Sequence, residues 1–117
     1  MIKHIVLWRL KDHALGASKQ DNAEKLKALL EALRDTVKEI KHLEVGINAQ
    51  ASAQAAVASG VVDPSLRSPA PCMDVALYSE FSSWDDLDAY QKHPEHLKVA
   101  GFVQEVRLER HVVDYEI

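Results

Sequence analysis

The residues best suited to chemistry lie close together late in the chain, at 90–96, where the sequence reads Tyr-Gln-Lys-His-Pro-Glu-His. Histidine has an unperturbed pKa of about 6.5, so it can take up or release a proton near neutral pH. A neighbouring phenol can orient the imidazole or donate a hydrogen bond to a carbonyl that becomes an enolate. Tyr90 and His96 are therefore a candidate acid–base pair, with His4 on the first strand as a supporting residue.

The same stretch also has a purely structural explanation. Pro94 disfavours helical geometry at the residue before it, so one helix should end near His93 and another should begin after it. A new helix leaves backbone amides free, and His93 can cap them. Tyr90 can be a core residue whose hydroxyl is paired locally. Catalysis by Tyr90 and His96 therefore requires an open pocket between sheet and helices, whose other predicted lining residues are Val6, Trp8, Val75, Leu87 and His93.

Metal and cofactor sites are not indicated by the sequence. His93 and His96 are three residues apart, but Pro94 interrupts the helix that would align them, and no cysteine is nearby. The four glycines are scattered, so a phosphate-binding loop is not expected. A nucleophile elbow is also missing from the sequence. We predict chemistry without a metal or a cofactor.

Length, composition and charge narrow the class of protein. The chain has 117 residues, 47% of them hydrophobic and 27% charged, which is typical of one globular domain. Its formal net charge of −4, without a cluster of Lys and Arg, argues against a nucleic-acid surface. Cys72 is the sole cysteine, which rules out an intrachain disulfide. Without a signal peptide or an apolar run of membrane-spanning length, we expect a cytoplasmic protein with no membrane contact.

The spacing of apolar residues predicts the order strand, helix, strand, strand, helix, strand. The strands are predicted at 2–11, 43–47, 73–81 and 107–117. The first helix, capped by Ser18 or Asp21, has an apolar stripe with helical spacing: Ala23, Leu26, Leu30, Leu33, Val37 and Ile40. The second begins after Ser82 or Ser83 and breaks at Pro94, and its last part is predicted to face inward with Leu97, Ala100, Val103 and Val106. This order is that of the α+β, ferredoxin-like βαββαβ fold, an antiparallel four-stranded sheet with helices on one face.

The first strand is apolar on both of its faces at mid-strand. His4, Val6 and Trp8 share one face, while Ile5 and Leu7 lie on the other between charged residues. Helices cover only one face of a ferredoxin-like sheet. A second copy of the chain, packed sheet to sheet, would cover the other face, so we predict a homodimer through the open sheet face.

The segment at 49–71 differs in composition from the rest of the chain. Alanine, serine and glutamine dominate it, it has no aromatic residue, and Pro64, Pro69 and Pro71 crowd its end. We predict a long loop insertion here within a single domain spanning 1–117. An interaction role for this segment stays open.

Three stretches together resemble the stress-responsive α/β-barrel family, the Dabb domain. They are the start at 2–11 (Ile-Lys-His-Ile-Val-Leu-Trp-Arg-Leu-Lys), the Tyr-x-x-His-Pro-x-His pattern at 90–96 and the closing Val-Val-Asp-Tyr-Glu at 112–116. The resemblance covers nearly the whole chain and implies a homodimer in which two ferredoxin-like sheets close into a barrel. The segment at 49–71 is longer than the family's usual connection between its second and third strands.

The resemblance leaves two functions open. Many Dabb proteins are stress-associated without an assigned reaction, which implies a module that binds a small apolar or carbonyl-containing ligand. Some plant members are cofactor-free polyketide cyclases, whose working Tyr and His correspond to Tyr90 and His96 here, with a first-strand His at His4. A further pocket His of a cyclase falls at Val75 in this chain, so the resemblance does not extend to that specific cyclisation. The binding module and the cyclase-like enzyme differ in one expectation, which concerns the space beside Tyr90, His96 and His4. Catalysis needs this space to be open, and a filled core would favour the module without a reaction.

Overall fold

Four strands form one antiparallel sheet, with three helices packed on it, in a computed structural model that describes residues 1–49 and 72–117. The predicted insertion at 49–71 lies, except for its first residue, outside the described residues. In chain order the elements are β1 (Ile2–Leu10), β2 (His13–Ala14), β3 (Ala17–Ser18), α1 (Lys19–Thr36), β4 (Ile40–Ile47), β5 (Val75–Phe81), α2 (Trp84–Lys92), α3 (Pro94–Val106) and β6 (Arg107–Glu116). The strand order in the sheet is β4-β5-β1-β6, and every pairing is antiparallel. A two-stranded hairpin, β2 with β3, precedes the first helix. The predicted ferredoxin-like fold is confirmed.

Strand β1 has the predicted alternation of faces. Every second residue is buried against the helices, and these residues are Ile2, His4, Val6, Trp8 and Leu10. On the opposite face Ile5 is partly buried and Leu7 is 36% exposed. The hydrophobic core therefore lies between one face of the sheet and the helices, as the alternating pattern requires.

Helix α1 begins where the sequence predicts and ends earlier. The Ser18 side chain accepts a hydrogen bond from the backbone amide of Asp21 at 3.2 Å, which identifies Ser18 as the N-cap. The helix ends at Thr36, so the prediction that Val37 and Ile40 continue its stripe is wrong. Val37 is buried in an extended conformation, and Ile40 already belongs to β4. Both residues still pack in or against the core, because the chain turns back toward the sheet at this point.

The break at Pro94 separates α2 from α3 as predicted. His93 is extended, with φ −62° and ψ 137°, and its Nδ1 accepts a hydrogen bond from the Glu95 amide at 3.1 Å. His93 is thus the N-cap of α3, and Pro94 occupies the first turn, where its missing amide costs nothing.

The inward face of α3 differs from the predicted one. Leu97 is 56% exposed and Ala100 is exposed, whereas Val99, Val103 and Val106 are buried. The prediction of Leu97 as an inward residue is therefore wrong, with Val99 taking its place, whereas Ala100, although exposed, borders the space between α3 and the sheet. Packing against α1 sets the rotation of α3, and a short helix with apolar residues on several faces does not specify that rotation alone.

Candidate functional site

A cavity of about 250 Å³ lies between the sheet and α3. It is deeper at one end, where Tyr90 is buried, and more open at the other, where Arg110 is exposed. The residues that line it come from β1, β5, β6 and all three helices: His4, Val6, Trp8, Leu30, Leu77, Tyr90, His96, Val99, Ala100, Val103, Gln104, Arg107 and Arg110. The space beside Tyr90, His96 and His4 is therefore open rather than filled by side chains.

Tyr90 is fully buried at the deep end of this cavity. Its side chain is 0% exposed, and its ring centroid lies 5.0 Å from that of Phe81 and 4.5 Å from that of His96. The hydroxyl has no hydrogen-bond partner in the described parts of the chain. Burial raises the pKa of Tyr90 well above its ordinary value, because a phenolate would lose its hydration there. Tyr90 therefore presents a neutral hydroxyl that can donate one hydrogen bond.

His96 lies beside Tyr90, in the first turns of α3. Its Nδ1 is buried and has no hydrogen-bond partner of proper geometry among the described residues. Burial lowers the pKa of His96, and the backbone of Gln91 opposes this shift in part. The imidazole is therefore neutral at neutral pH and can accept a proton.

His4 is the third ring of the group and has a partner that the sequence did not indicate. The His4 side chain is 2% exposed, and its ring centroid is 6.0 Å from that of Tyr90. Its Nδ1 lies 2.5 Å from a carboxylate oxygen of Asp114 on β6. A carboxylate accepts, so the proton lies on Nδ1 and the ring orientation is fixed. Asp114 belongs to the closing Val-Asp-Tyr stretch, where strand alternation alone gave no sign of this contact.

Unpaired polar atoms are concentrated at this cavity. Of the four buried side-chain nitrogen or oxygen atoms without a partner in the described chain, three belong to residues that line it: Trp8 Nε1, the Tyr90 hydroxyl and His96 Nδ1. Buried polar groups are almost always hydrogen-bonded in folded proteins, so an unpaired group calls for an explanation. Two donors and an imidazole nitrogen around one open space can together hold a polar group of a ligand.

The predicted lining residues divide into two groups. Val6 and Trp8 line the cavity with His4, Tyr90 and His96. The structure places Val75 and Leu87 in the hydrophobic core, and His93 at the N-terminus of α3 as its cap. Gln104, Arg107 and Arg110 also line the cavity, and hydrophobic periodicity did not predict them. The two arginines of the last strand were the one available signal, but they are three residues apart and strand alternation would put them on opposite faces.

Other site types have no counterpart in the described residues. Across 1–49 and 72–117, no three side chains of His, Cys, Asp or Glu are close enough together to hold a metal ion. None of the helices described is long and apolar enough to cross a membrane.

Fold and cavity define an α+β, ferredoxin-like protein with a tyrosine–histidine pocket under the sheet. The chain belongs to the family described as the stress responsive A/B barrel domain, Dabb, whose model matches residues 2–117. The predicted family is therefore confirmed.

Solved structures with this fold come from several organisms. A dimeric protein of unknown function with a ferredoxin-like fold from Bacteroides fragilis is 32% identical, with a TM-score of 0.73, and the match covers 99% of this chain and 95% of that one. A dimeric ferredoxin-like protein of unknown function from Thermobifida fusca is 22% identical, with a TM-score of 0.71 and coverage of 99% and 90%. The hydroxynitrile lyase from Passiflora edulis is 21% identical, with a TM-score of 0.70 and coverage of 99% and 92%. No match was found among curated proteins.

Proposed function

We propose that the protein binds a small carbonyl compound in this cavity and transfers a proton at the carbon next to the carbonyl. One observation carries the proposal. The Tyr90 hydroxyl and His96 Nδ1 are both buried, have no partner in the described chain and belong to adjacent rings beside an open cavity. Leaving a buried polar group unpaired costs about 1–3 kcal/mol, and a bound carbonyl compound would supply the missing partners.

The proposed reaction uses side chains alone. The neutral imidazole of His96 removes a proton from the carbon next to the carbonyl, and the electrons of that C–H bond form the enolate. The enolate oxygen accepts a hydrogen bond from Tyr90, which stabilises the developing charge in a buried site. The imidazolium then returns the proton to carbon, or to another atom of the bound molecule if a bond has formed or broken in between.

Two features of the environment support these roles. The raised pKa of Tyr90 keeps its proton on oxygen, so it serves as a hydrogen-bond donor rather than as a base. The lowered pKa of His96 keeps the imidazole unprotonated at neutral pH. Two titratable groups with opposite shifts, side by side in a cavity, are the arrangement expected of an acid–base pair.

The fold is compatible with enzymatic activity. One of the similar structures is a hydroxynitrile lyase. At 21% identity this likeness extends to the fold alone, so the proposal depends on the residues of this chain's own cavity. A binding module without catalysis would use the same cavity. A measurement of proton exchange distinguishes such a module from an enzyme.

Proton exchange on a small ketone tests the proposal directly. We expect the wild-type protein to accelerate the exchange of deuterium from solvent into benzylacetone, next to its carbonyl, at least about a hundredfold over buffer, the lower end of the contribution from a positioned acid or base. Proton NMR of the ketone measures the rate. The double variant Tyr90→Phe, His96→Gln is the control for catalysis elsewhere on the protein. Saturable binding of the ketone without acceleration would leave a binding module and contradict the catalytic proposal.

For assembly, we propose a homodimer through the open face of the sheet. At its centre Ile5 lies opposite Val113 in the strand register, and Val113 is 52% exposed. Tyr78 lies beside Ile5 on the neighbouring strand, and toward one end of these strands its hydroxyl and the Lys3 ammonium both contact Glu80, at 2.6 and 2.8 Å. This face thus combines exposed apolar side chains with a paired polar group, as a subunit interface does. The similar proteins from Bacteroides fragilis and Thermobifida fusca are dimeric.

An acidic residue at the centre of this face should separate the subunits. We expect Ile5→Glu to raise the dimer dissociation constant at least about a hundredfold, because an unpaired charge buried in an interface costs roughly 3–5 kcal/mol. Analytical ultracentrifugation over a range of concentrations measures the constant. Leu97→Glu makes the same change on the exposed side of α3 and should leave it unchanged. A wild-type chain that sediments as a monomer would contradict the proposal.

A further inference from the structure

Arg107 and Arg110 line the cavity at the end away from the buried Tyr90. In the sheet register Arg110 pairs with Trp8, and Arg107 pairs with Leu10 beyond an irregularity in the strand. Trp8 and Leu10 are both buried on the helix side of β1. Residues paired across antiparallel strands project to the same face, so both guanidinium groups belong to the side of the sheet that holds the cavity.

Neither arginine forms an ion pair with another described residue. The neighbouring acid, Glu109, is on the opposite face of β6, where it lies 2.7 Å from Arg9. Asp114 shares the cavity side but bonds to His4. It lies four residues from Arg110, about 13 Å along an extended strand. The described chain thus places two positive charges at the cavity and leaves both uncompensated.

The charge of Arg110 reaches the reactive end of the cavity. It acts to lower the pKa of both Tyr90 and His96, although burial is the larger influence on each. A group bound at Arg110 would therefore lie close enough to the Tyr90–His96 pair to belong to the same small molecule.

We propose that Arg107 and Arg110 form the anion-binding end of this pocket, so that its ligand is a small organic acid with a carboxylate at one end and a carbonyl toward Tyr90. This inference rests on the proposed function, since both ends belong to one site. Guanidinium groups bind carboxylates through paired, charge-assisted hydrogen bonds.

Size and lining specify the rest of the ligand. A cavity of about 250 Å³ is smaller than the pockets that hold drug-sized ligands, which measure roughly 300–1,000 Å³. Between the two polar ends its walls are apolar, with Val6, Leu30, Leu77, Val99 and Val103 among the lining residues. The structure therefore selects a compact monocarboxylate with an apolar body, such as an oxo acid in which a short aliphatic chain separates the carboxylate from the ketone.

A matched pair of ketones tests the carboxylate end. The ion 5-oxohexanoate carries a carboxylate where 2-hexanone carries a methyl group, and in both compounds a short apolar chain separates this group from the ketone. We expect the wild-type protein to bind 5-oxohexanoate at least about tenfold more tightly, and Arg110→Gln to remove most of this preference, because a hydrogen bond to a charged group contributes roughly that factor. Isothermal titration calorimetry measures both affinities. Arg107→Gln and the double arginine variant should reduce the preference in increasing order.

Two controls keep the result specific. Lys92→Gln makes the same change in net charge at an exposed residue paired with Asp88, and it should leave the preference intact. Arg110→Lys keeps the charge but loses the paired geometry, so it should retain only part of the preference. Butyl phosphate serves as the other anion, and tighter binding of butyl phosphate than of 5-oxohexanoate would overturn the carboxylate assignment.

The outcome separates this inference from the proposed function. Equal affinities for 5-oxohexanoate and 2-hexanone, or a preference that survives in the double arginine variant, would overturn the anion-binding end whatever the exchange rate. A preference that depends on the arginines without any acceleration of exchange would uphold the anion-binding end and contradict the proposed catalysis.

Discussion

A His96→Gln variant should exchange the protons next to the carbonyl of benzylacetone at least about a hundredfold more slowly than the wild-type protein, because general-base catalysis contributes roughly 10²–10⁴-fold. Glutamine retains much of the size and polarity of histidine but cannot take up a proton near neutral pH. The adjacent ring of Tyr90 would keep a neighbour of similar volume, so the fold should persist. Proton NMR measures the exchange rate, and thermal unfolding followed by circular dichroism measures stability.

The pH dependence identifies the base. The folded protein lowers the pKa of His96 below its ordinary 6.5, because burial disfavours the charged imidazolium. Exchange should therefore stay at its plateau as the pH falls through 6.5 and decline only at the lower, folded-state pKa, where the imidazole becomes protonated. His96 affects stability in the same direction. As the pH falls from 6.5 to the lower folded-state pKa, the unfolded chain binds the proton and the folded protein does not, so the free energy of unfolding decreases. A decline centred above 6.5 would contradict His96 as the base.

His93 provides the matched control, three residues earlier in the chain. Its side chain caps α3, and His93→Ala should lower the free energy of unfolding by about 1 kcal/mol, as the loss of an N-cap does. The exchange rate of the folded variant should stay close to that of the wild type. If His93→Ala lost exchange while His96→Gln kept it, the assignment of roles within this stretch would be reversed.

Local patterns were sufficient to predict the fold. Strict alternation in β1 specified which residues face the helices, since side chains on a strand project to opposite sides in turn. Pro94 specified the break between α2 and α3, because a proline restricts the residue before it. Ser18 was predicted as one of two possible caps. Each of these features depends on a few residues that are neighbours in the sequence.

The site was harder to predict from the sequence than the fold, because it depends on contacts between distant parts of the chain. The bond between His4 and Asp114 joins residues 110 positions apart, and it follows from the register of β1 with β6. The same register brings Arg110 beside Trp8. Hydrophobic periodicity predicts a strand at each of these places but not which residues of the two strands meet. The apolar pattern of α3 likewise did not determine how the helix is rotated about its axis. Leu97 was therefore predicted to face inward in place of Val99.

A Tyr90→Phe variant should lose catalysis without losing stability. We expect the exchange rate to fall by about 10²–10³-fold, the usual effect of removing a hydrogen-bond donor to a developing oxyanion. The hydroxyl is buried without a partner in the described chain, so its removal should leave the free energy of unfolding unchanged or raise it by up to about 1 kcal/mol. Exchange kinetics and chemical denaturation of the same preparation provide the two values.

Tyr78→Phe makes the identical chemical change where the hydroxyl has a partner. The Tyr78 hydroxyl donates to Glu80 at 2.6 Å, so its loss should lower the free energy of unfolding by about 1 kcal/mol and leave exchange intact. Tyr90→Phe should therefore lose activity and keep its stability, whereas Tyr78→Phe should lose stability and keep its activity. A Tyr90→Phe variant that is destabilised yet fully active would show that the hydroxyl supports the fold through a partner such as water, and it would remove Tyr90 from the proposed mechanism.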